Sequence, residues 1–148
     1  MPRPFTAIVL SAGALALACG IRTAPLLALQ AKPGASSSGW TIPPDAQAVK
    51  SPLAVDEKVI AAGKAIFKDK CERCHGPAGR GDGPDAEPDT GEMDLTLAKR
   101  AERNPDGVVF HKVLNGRRKP KMPAFKEELS QEQIWTVVAY VQSLRDAQ

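Results

Sequence analysis

Cys71-Glu72-Arg73-Cys74-His75 is the stretch that decides the fold of this chain. Two cysteines three positions apart, followed at once by a histidine, are typical of covalent c-type haem attachment. At this spacing each thiol can form a thioether with one vinyl group of the same porphyrin. The histidine then lies against the iron and can supply an axial imidazole nitrogen. Because a haem carries its own redox chemistry, the stretch predicts electron transfer.

Two other uses of the cysteine pair stay open at this point. A structural zinc site needs four nitrogen or sulfur ligands, and His111 and Cys19 are the other candidates in the chain. A thioredoxin-like dithiol is expected in a βαβ context, but no strand rich in valine and isoleucine precedes Cys71. The pattern favours haem over both.

The length of 148 residues indicates one domain. Residues 1–18 are predicted to be a secretory signal peptide. The apolar run from Phe5 to Ala18 is shorter than the ~20 residues of a membrane span. Ala16-Leu17-Ala18 offers a small-x-small cleavage site. We therefore expect export to a bacterial periplasm, where haem is attached to such cysteine pairs.

Cys19 directly follows that cleavage site, at a position that resembles the lipidation site of bacterial lipoproteins. The pattern departs from that motif, because Ala16 stands where leucine is usual and Leu17 where a smaller residue is usual. Two interpretations stay open: a lipid-anchored protein, or a soluble periplasmic one in which the cysteine is spare or removed with the signal.

Residues 19–54 are predicted to be a flexible linker that continues into an extended, proline-rich segment. Residues 31–39 have the composition of a flexible linker. Trp40 and Ile42 are expected to pin the proline-rich part to the surface of the domain, which is assigned to residues 55–148.

Helical periodicity and capping signals predict three helices in this domain. Asp56 is the expected N-cap of the first, and Gly63 lies on its apolar face, where another backbone can approach closely. Asn104 is the expected N-cap of the second, which is predicted to end at Asn115-Gly116.

A capping box of Ser130 and Gln133 opens the third helix. No strand pattern of useful length and no internal repeat occurs. The fold class is therefore predicted to be all-α, with one haem motif.

Gly76 to Gly91 is predicted to be a glycine- and proline-rich loop around one haem edge. The stretch 80–94 is strongly acidic. A calcium loop is an alternative, but the EF-hand order of ligands is absent. From Ala31 onward, with this stretch included, basic and acidic residues nearly balance, and the formal net charge of +3 with 5% aromatic residues gives no support for nucleic-acid binding.

Met122 is predicted to fill the sixth position of the iron. Pro120 and Pro123 flank it and stiffen its loop. A thioether opposite an imidazole raises the reduction potential of a haem. In the alternatives, Met122 only fills a gap in the core, Met93 supplies the sulfur, or His111 is the ligand.

From about Val55 to Leu144 the chain resembles a monohaem class I cytochrome c. The matching pieces are Gly63-Lys64-x-x-Phe67, Cys71-x-x-Cys74-His75-Gly76, Gly79-x-Gly81-x-Gly83-Pro84, Asp94-Leu95-Thr96, Asn115-Gly116, Met122-Pro123, and a closing helix with Trp135 and Tyr140. The resemblance implies three to five helices wrapped around one covalently bound haem c. The acidic insert after Pro84 departs from the family pattern.

The resemblance also implies specific contacts. The first and last helices should cross at Gly63, with Phe67 and Tyr140 in contact, and the carbonyl of Pro84 should accept the Nδ1 proton of His75. The cofactor-binding residues expected are Cys71, Cys74, His75, Met122, Pro84, Leu95 and Trp135, with His75 and Met122 on the iron. The apolar residues expected to cover the porphyrin are Leu95, Val109, Val113, Met122, Phe125, Ile134 and Val138.

The function that follows is that of a one-electron carrier rather than an enzyme. Its expected partners are redox proteins such as a dehydrogenase, an oxidase or a membrane complex. Alternatives are a haem subunit of such a complex, or a peroxidase-like or gas-binding protein if Met122 does not ligate. The basic cluster (Arg117, Arg118, Lys119 and Lys121) and the acidic loop 80–94 are expected to form a charge dipole that orients docking, or else to be two solvated loops.

Overall fold

The fold of this computed structural model is described for residues 39–87 and 93–146; the predicted signal peptide, Cys19 and the first part of the linker lie outside them. Four α-helices are present: α1 (Glu57–Lys70), α2 (Glu72–His75), α3 (Asp106–Asn115) and α4 (Gln131–Asp146). Two short 3-10 helices cover Pro44–Gln47 and Ala98–Arg100. The described residues contain no strand beyond one isolated bridge, and none of their helices could cross a membrane. The predicted all-α class is confirmed.

Helix α1 begins as its capping signal predicts and leads directly into the haem motif. Oδ1 of Asp56 accepts a hydrogen bond from the backbone N–H of Val59 at 2.8 Å. The helix ends at Cys71, whose N–H donates to the carbonyl of Phe67 at 2.8 Å. Helix α2 follows without a loop and ends at Gly76, which has φ of +76°. The cysteine pair is thus fixed to the end of a long helix.

Helices α1 and α4 cross at Gly63, as the resemblance implies. A Cβ added at Gly63 would lie 2.7 Å from Cβ of Tyr140 and closer still to the carbonyl oxygen of Thr136. Phe67 packs edge-on against Tyr140, with ring centroids 5.2 Å apart. Only glycine lets the two backbones come this close, so this residue sets the crossing point.

Helix α3 begins one residue later than predicted, because Pro105 and not Asn104 is its N-cap. The carbonyl of Pro105 accepts the first helical bond, from the N–H of Val109. The side chain of Asn104 is used elsewhere, since its Nδ2 donates to the carbonyl of Arg100 at 2.9 Å. The predicted C-terminus is confirmed: the helix ends at Asn115, and Gly116 follows with φ of +59°.

Helix α4 begins at the predicted capping box. The N–H of Gln133 donates to Oγ of Ser130 at 3.2 Å, and the N–H of Ser130 donates to Oε1 of Gln133 at 2.8 Å. The side chains of α4 that form the centre of the core are Ile134, Val137, Val138 and Val141.

The described part of the predicted linker, residues 39–54, contains a 3-10 helix at Pro44–Gln47 and packs on the domain, and we call it the N-terminal strap. Ala46 is completely buried, and a Cβ at Gly107 of α3 would lie 2.7 Å from Cβ of Val49. The N–H of Gly107 donates to the carbonyl of Val49 at 3.2 Å. Trp40 is only 8% exposed. The strap therefore packs on α3, and Trp40 is pinned as expected.

Replacing Gly63 with alanine tests the helix crossing. Helix propensity alone favours alanine by about 1 kcal/mol. The steric conflict with α4 is expected to reverse that sign and to destabilise the fold by about 1–3 kcal/mol net. Denaturant unfolding of the haem-loaded protein, followed by circular dichroism, measures the difference.

The matched control is Ala62→Gly, the opposite exchange at the neighbouring exposed position. It should destabilise the protein by about the propensity difference alone, roughly 1 kcal/mol. A Gly63→Ala protein as stable as the wild type would show that the helices do not cross as described.

Candidate haem site

A cavity of about 830 Å³ opens between α1, α3, α4 and the loop before α4. Its size lies in the range of sites for small ligands and cofactors. Cys71, Cys74, His75 and Met122 all contribute to its walls. The structure thus brings together the four residues that the sequence predicts for haem attachment and iron ligation.

The cysteine pair lies at the junction of α1 and α2. The N–H groups of Cys74 and His75 both donate to the carbonyl of Cys71, at 3.2 and 3.0 Å, so that one turn of helix holds the three residues. Both sulfurs are free thiols. Burial, with a smaller contribution from Cys74, raises the pKa of the Cys71 thiol to about 12, so this thiol is protonated at neutral pH.

His75 is oriented by one hydrogen bond, in which its Nδ1 donates to the carbonyl oxygen of Met93 at 2.8 Å. A carbonyl only accepts, so the proton lies on Nδ1 and Nε2 keeps its lone pair. Burial lowers the pKa of this imidazole, against a smaller opposite effect of the bond to Met93. The ring is therefore neutral at pH 7, as a metal ligand must be.

The predicted acceptor for His75, the carbonyl of Pro84, is wrong. The N–H of Gly81 donates to the carbonyl of His75 at 2.7 Å, and a Cβ at Gly81 would lie 2.7 Å from Cβ of Met93. This glycine turn presses the Met93 backbone against the imidazole. Pro84 is exposed and does not line the cavity.

Met122 reaches the cavity from a tight loop. Two backbone hydrogen bonds, at 2.9 and 3.0 Å, join it to Arg117. The N–H of Phe125 donates to the carbonyl of Val113 at 3.0 Å, which ties the end of the loop to α3. Met93 also lines the cavity, but its backbone lies beside Nδ1 of His75. Since a sixth ligand must approach the iron from the face opposite the imidazole, the placement favours Met122.

The apolar wall of the cavity agrees with the prediction in part. Leu95, Val109, Val113 and Phe125 line it, as expected, and Val137 and Val141 join them from α4. Three predicted residues do not line it: Ile134 and Val138, which are buried in the helix core, and Trp135, which stacks on Phe110 with ring centroids 4.2 Å apart. Helix α4 thus faces the cavity with Val137 and Val141 instead of the predicted Ile134, Trp135 and Val138.

The polar wall is strongly basic. Two carboxylates, of Asp85 and Asp94, stand against eight cationic side chains: Lys70, Arg73, Arg100, Arg103, Lys112, Arg117, Lys121 and Arg145. Nε of Arg100 is buried and has no hydrogen-bond partner in the described part of the chain. A buried donor without an acceptor is costly, and the two propionates of a haem are acceptors of the right charge. The cavity therefore fits a haem.

Sequence reasoning missed this basic wall. Arg100 and Arg103 lie between the acidic loop and α3, and Arg145 lies near the end of α4. No common spacing links them in the sequence. The one indication in the sequence was the density of basic residues at positions 99–103. Their place in the cavity wall cannot be inferred until the fold is known.

The acidic loop makes one backbone contact with the basic cluster and one ion pair outside it, and the charge dipole stays a prediction. The N–H of Lys121 lies 3.4 Å from Oε1 of Glu87, and Arg73 pairs with Asp85 at 2.7 Å. Two further acidic residues of the loop, Asp89 and Glu92, lie outside the described residues. Among the described residues no cluster of three His, Cys, Asp or Glu side chains could hold a metal.

His111, the minor alternative for the sixth ligand, is not brought to the cavity. It does not line it, and its ring lies edge-on to Phe110, with centroids 5.8 Å apart. Its Nδ1 is buried without a hydrogen-bond partner among the described residues.

Several solved structures are similar to this chain. A chain of the Kuenenia stuttgartiensis reducing HAO-like protein complex Kustc0457/Kustc0458 is 34% identical, with a TM-score of 0.55 over 65% of this chain and 49% of that one. Cytochrome CL from the marine methylotrophic bacterium Methylophaga aminisulfidivorans is 25% identical, with a TM-score of 0.47 over 60% of this chain and 57% of that one. The KustC0563 c-type cytochrome is 24% identical, with a TM-score of 0.46 over 56% and 96%.

This chain spans about half the length of the first of these solved chains. No curated protein matches it. Residues 58–141 match a family model described as cytochrome c oxidase, cbb3-type, subunit III. The match covers more than half of the chain and includes the cysteine pair, His75 and Met122. The chain therefore belongs to this family of cytochrome c domains.

Proposed function

We propose that the protein is a one-electron carrier that uses one covalently attached haem c, with His75 and Met122 as axial ligands. The observation that carries the proposal is that both cysteines, the imidazole and the thioether line a single cavity. Membership of the cytochrome c family supports haem-based electron transfer independently of that geometry.

When bound, haem supplies the one-electron ferric–ferrous couple. The protein's part is to attach, orient and shield it. Cys71 and Cys74 would hold the group through thioether bonds, and the carbonyl of Met93 keeps the lone pair of Nε2 of His75 available as a ligand. Met122 would be the second ligand and would leave the metal no open position for a substrate. The apolar wall excludes water, and redox partners contact the exposed edge of the cofactor.

Arg100 is proposed to hold a haem propionate through its buried Nε. Arg103 and Arg145 line the same cavity and add positive charge around it. A carboxylate bound by such a donor is held by a charge-assisted hydrogen bond, which is stronger than a neutral one.

The protein is further proposed to be exported to the periplasm, either soluble or anchored through a lipid on Cys19. The sequence of residues 1–19 supports this, through its apolar run and small-x-small site. Mass spectrometry of the mature protein tests it, because the mass gives the cleavage site, the haem adduct and any acyl chain at once.

A second candidate function is that of a haem subunit within a larger redox complex. The similar Kuenenia chain belongs to a protein complex, and this chain spans 49% of its length. Purification from the native membrane and periplasmic fractions separates the candidates. A free monomer supports the carrier, and a stable association with a dehydrogenase or oxidase supports the subunit.

Replacing Met122 with alanine tests the axial ligand. Oxidised wild-type protein should show the weak long-wavelength charge-transfer band of methionine-ligated iron, and the variant should lose it. The reduction potential should also fall, because a thioether favours ferrous iron. Optical spectra and a redox titration of the haem-loaded protein measure both quantities.

The matched control is Met93→Leu, which removes the other sulfur of the cavity but keeps the backbone carbonyl that binds His75. A leucine has nearly the same volume, so the site should tolerate it. The band should survive in this control. A wild-type spectrum without the band, or its loss in Met93→Leu alone, would reject Met122 as the ligand.

Replacing Arg100 with glutamine tests the propionate site. Loss of a positive charge near the haem stabilises the ferric state. The reduction potential should therefore fall, because the free energy of reduction becomes less favourable by an amount on the order of 1 kcal/mol. The carboxylate bands in the redox-difference infrared spectrum should shift as well. Arg118→Gln removes the same charge from an exposed residue that does not line the cavity, and it should change neither quantity. Equal effects of both substitutions would refute the assignment.

A further inference from the structure

We propose that Trp40 is a positioning residue for the axial methionine: the beginning of the N-terminal strap braces the loop that presents Met122 to the iron. The inference rests on the proposed function, because it requires Met122 to be the ligand. It concerns a segment that precedes the family match at residues 58–141, so nothing in the family description assigns it a role.

The first brace is the Trp40 side chain. It is 8% exposed and lines the same cavity as Met122, although it lies well before α1 in the sequence. The guanidinium carbon of Arg117 lies 4.4 Å from the centroid of its ring, and Nζ of Lys112 lies 5.0 Å from it. Cations at these distances from an indole are attracted to it, and more strongly where water is excluded.

The second brace is the backbone at Gly39. Its φ is +74°, and a Cβ added there would lie 3.1 Å from the carbonyl oxygen of Lys119. Two successive residues of the strap, Gly39 and Trp40, therefore meet the first half of the methionine loop, at Lys119 through the main chain and at Arg117 through a side chain.

The contacts of the strap affect the position of Met122 through the hydrogen bonds within the loop. Arg117 shares two backbone hydrogen bonds with Met122, and its Nε donates to the carbonyl of Pro120 at 2.9 Å. A displacement of Arg117 thus moves the backbone that carries the sulfur. The other side of the loop is already fixed to α3 by the bond from Phe125 to Val113. The strap supplies the restraint on the side that this bond does not hold.

The consequence concerns the lifetime of the iron–sulfur contact. A loop that opens more often leaves the sixth position accessible for a larger fraction of the time. The apparent affinity of an external ligand for the iron rises in proportion to that fraction. The strap therefore controls how well the iron is closed to other ligands, and it does so without touching the metal.

Imidazole added to the oxidised, haem-loaded full-length protein probes this directly. The variants are Trp40→Ala, Trp40→Phe and the matched control Val49→Ala, which loosens the other end of the strap, at α3. Trp40→Ala should bind imidazole about ten-fold more tightly than the wild type, since two cation–aromatic contacts and a buried ring are lost. Trp40→Phe keeps a ring and should recover most of the difference. Denaturant unfolding is measured for each variant in parallel.

A further variant covers the case in which Trp40→Ala does not accumulate. Arg117→Met removes one cation from the ring but keeps the backbone bridge to Met122, and it should tighten imidazole binding to a smaller extent. The inference is overturned if these variants bind imidazole as the wild type does, or if Val49→Ala tightens binding equally for the same loss of stability. Absence of the methionine charge-transfer band in the wild type would instead reject the proposed function itself.

Discussion

The close backbone contact between α1 and α4 at Gly63 fixes the position of everything that concerns the haem. Two turns separate this glycine from Cys71, and α2 follows α1 without a loop. The crossing therefore determines where the cysteine pair and His75 lie relative to α4, whose residues Val137 and Val141 form part of the opposite wall. A side chain at this contact would push the helices apart and change the width of the cavity. The haem motif is local in sequence, but its usefulness depends on this distant contact.

The electrostatics of the cavity are arranged for a ligand that is apolar at its centre and anionic at its edge. Burial lowers the pKa of His75 and raises that of Cys71, so both groups are neutral where the porphyrin plane is expected. The positive charges of the wall are more numerous than the carboxylates, and one buried donor, Nε of Arg100, has no partner among the described residues. An uncharged ring would have no anionic group to pair with these cationic side chains. The carboxylates of the proposed haem would give this donor an acceptor, and a ligand that binds only the folded state would also stabilise the fold.

Features that depend on nearby residues could be predicted from the sequence, and features that depend on distant contacts could not. The N-cap at Asp56, the capping box at Ser130 and the end of α3 at Gly116 are decided within one helical turn, and the structure contains all three. The acceptor for His75 is decided by how the glycine turn packs against Met93, eighteen residues from the imidazole, so the prediction of Pro84 was wrong.

The packing of the N-terminal strap on α3 could not be predicted for the same reason. The prolines of the strap predict an extended coil, but Ala46 and Val49 pack against α3 at Gly107. This residue has no side chain and lets the backbone of the strap approach closely. The haem motif can be recognised in the sequence for a different reason: the covalent attachment that we propose needs a fixed spacing of thiols and imidazole, whatever the surrounding fold. A motif that depends on local spacing can be recognised in a sequence. The packing that forms the basic wall of the cavity, or the contacts between the strap and the methionine loop, cannot.

The two proposed axial ligands, His75 and Met122, are held in different ways. His75 is fixed by the helix that follows Cys71 and by the carbonyl of Met93, which accepts a hydrogen bond from its Nδ1 at 2.8 Å. Met122 lies on a loop that depends on α3 at one side and on the strap at the other. Both proposed ligands therefore depend on contacts outside their own stretch of sequence. Under the proposal for Trp40, changes in the strap would adjust how firmly Met122 closes the iron, without altering the haem motif or the helix crossing that positions it.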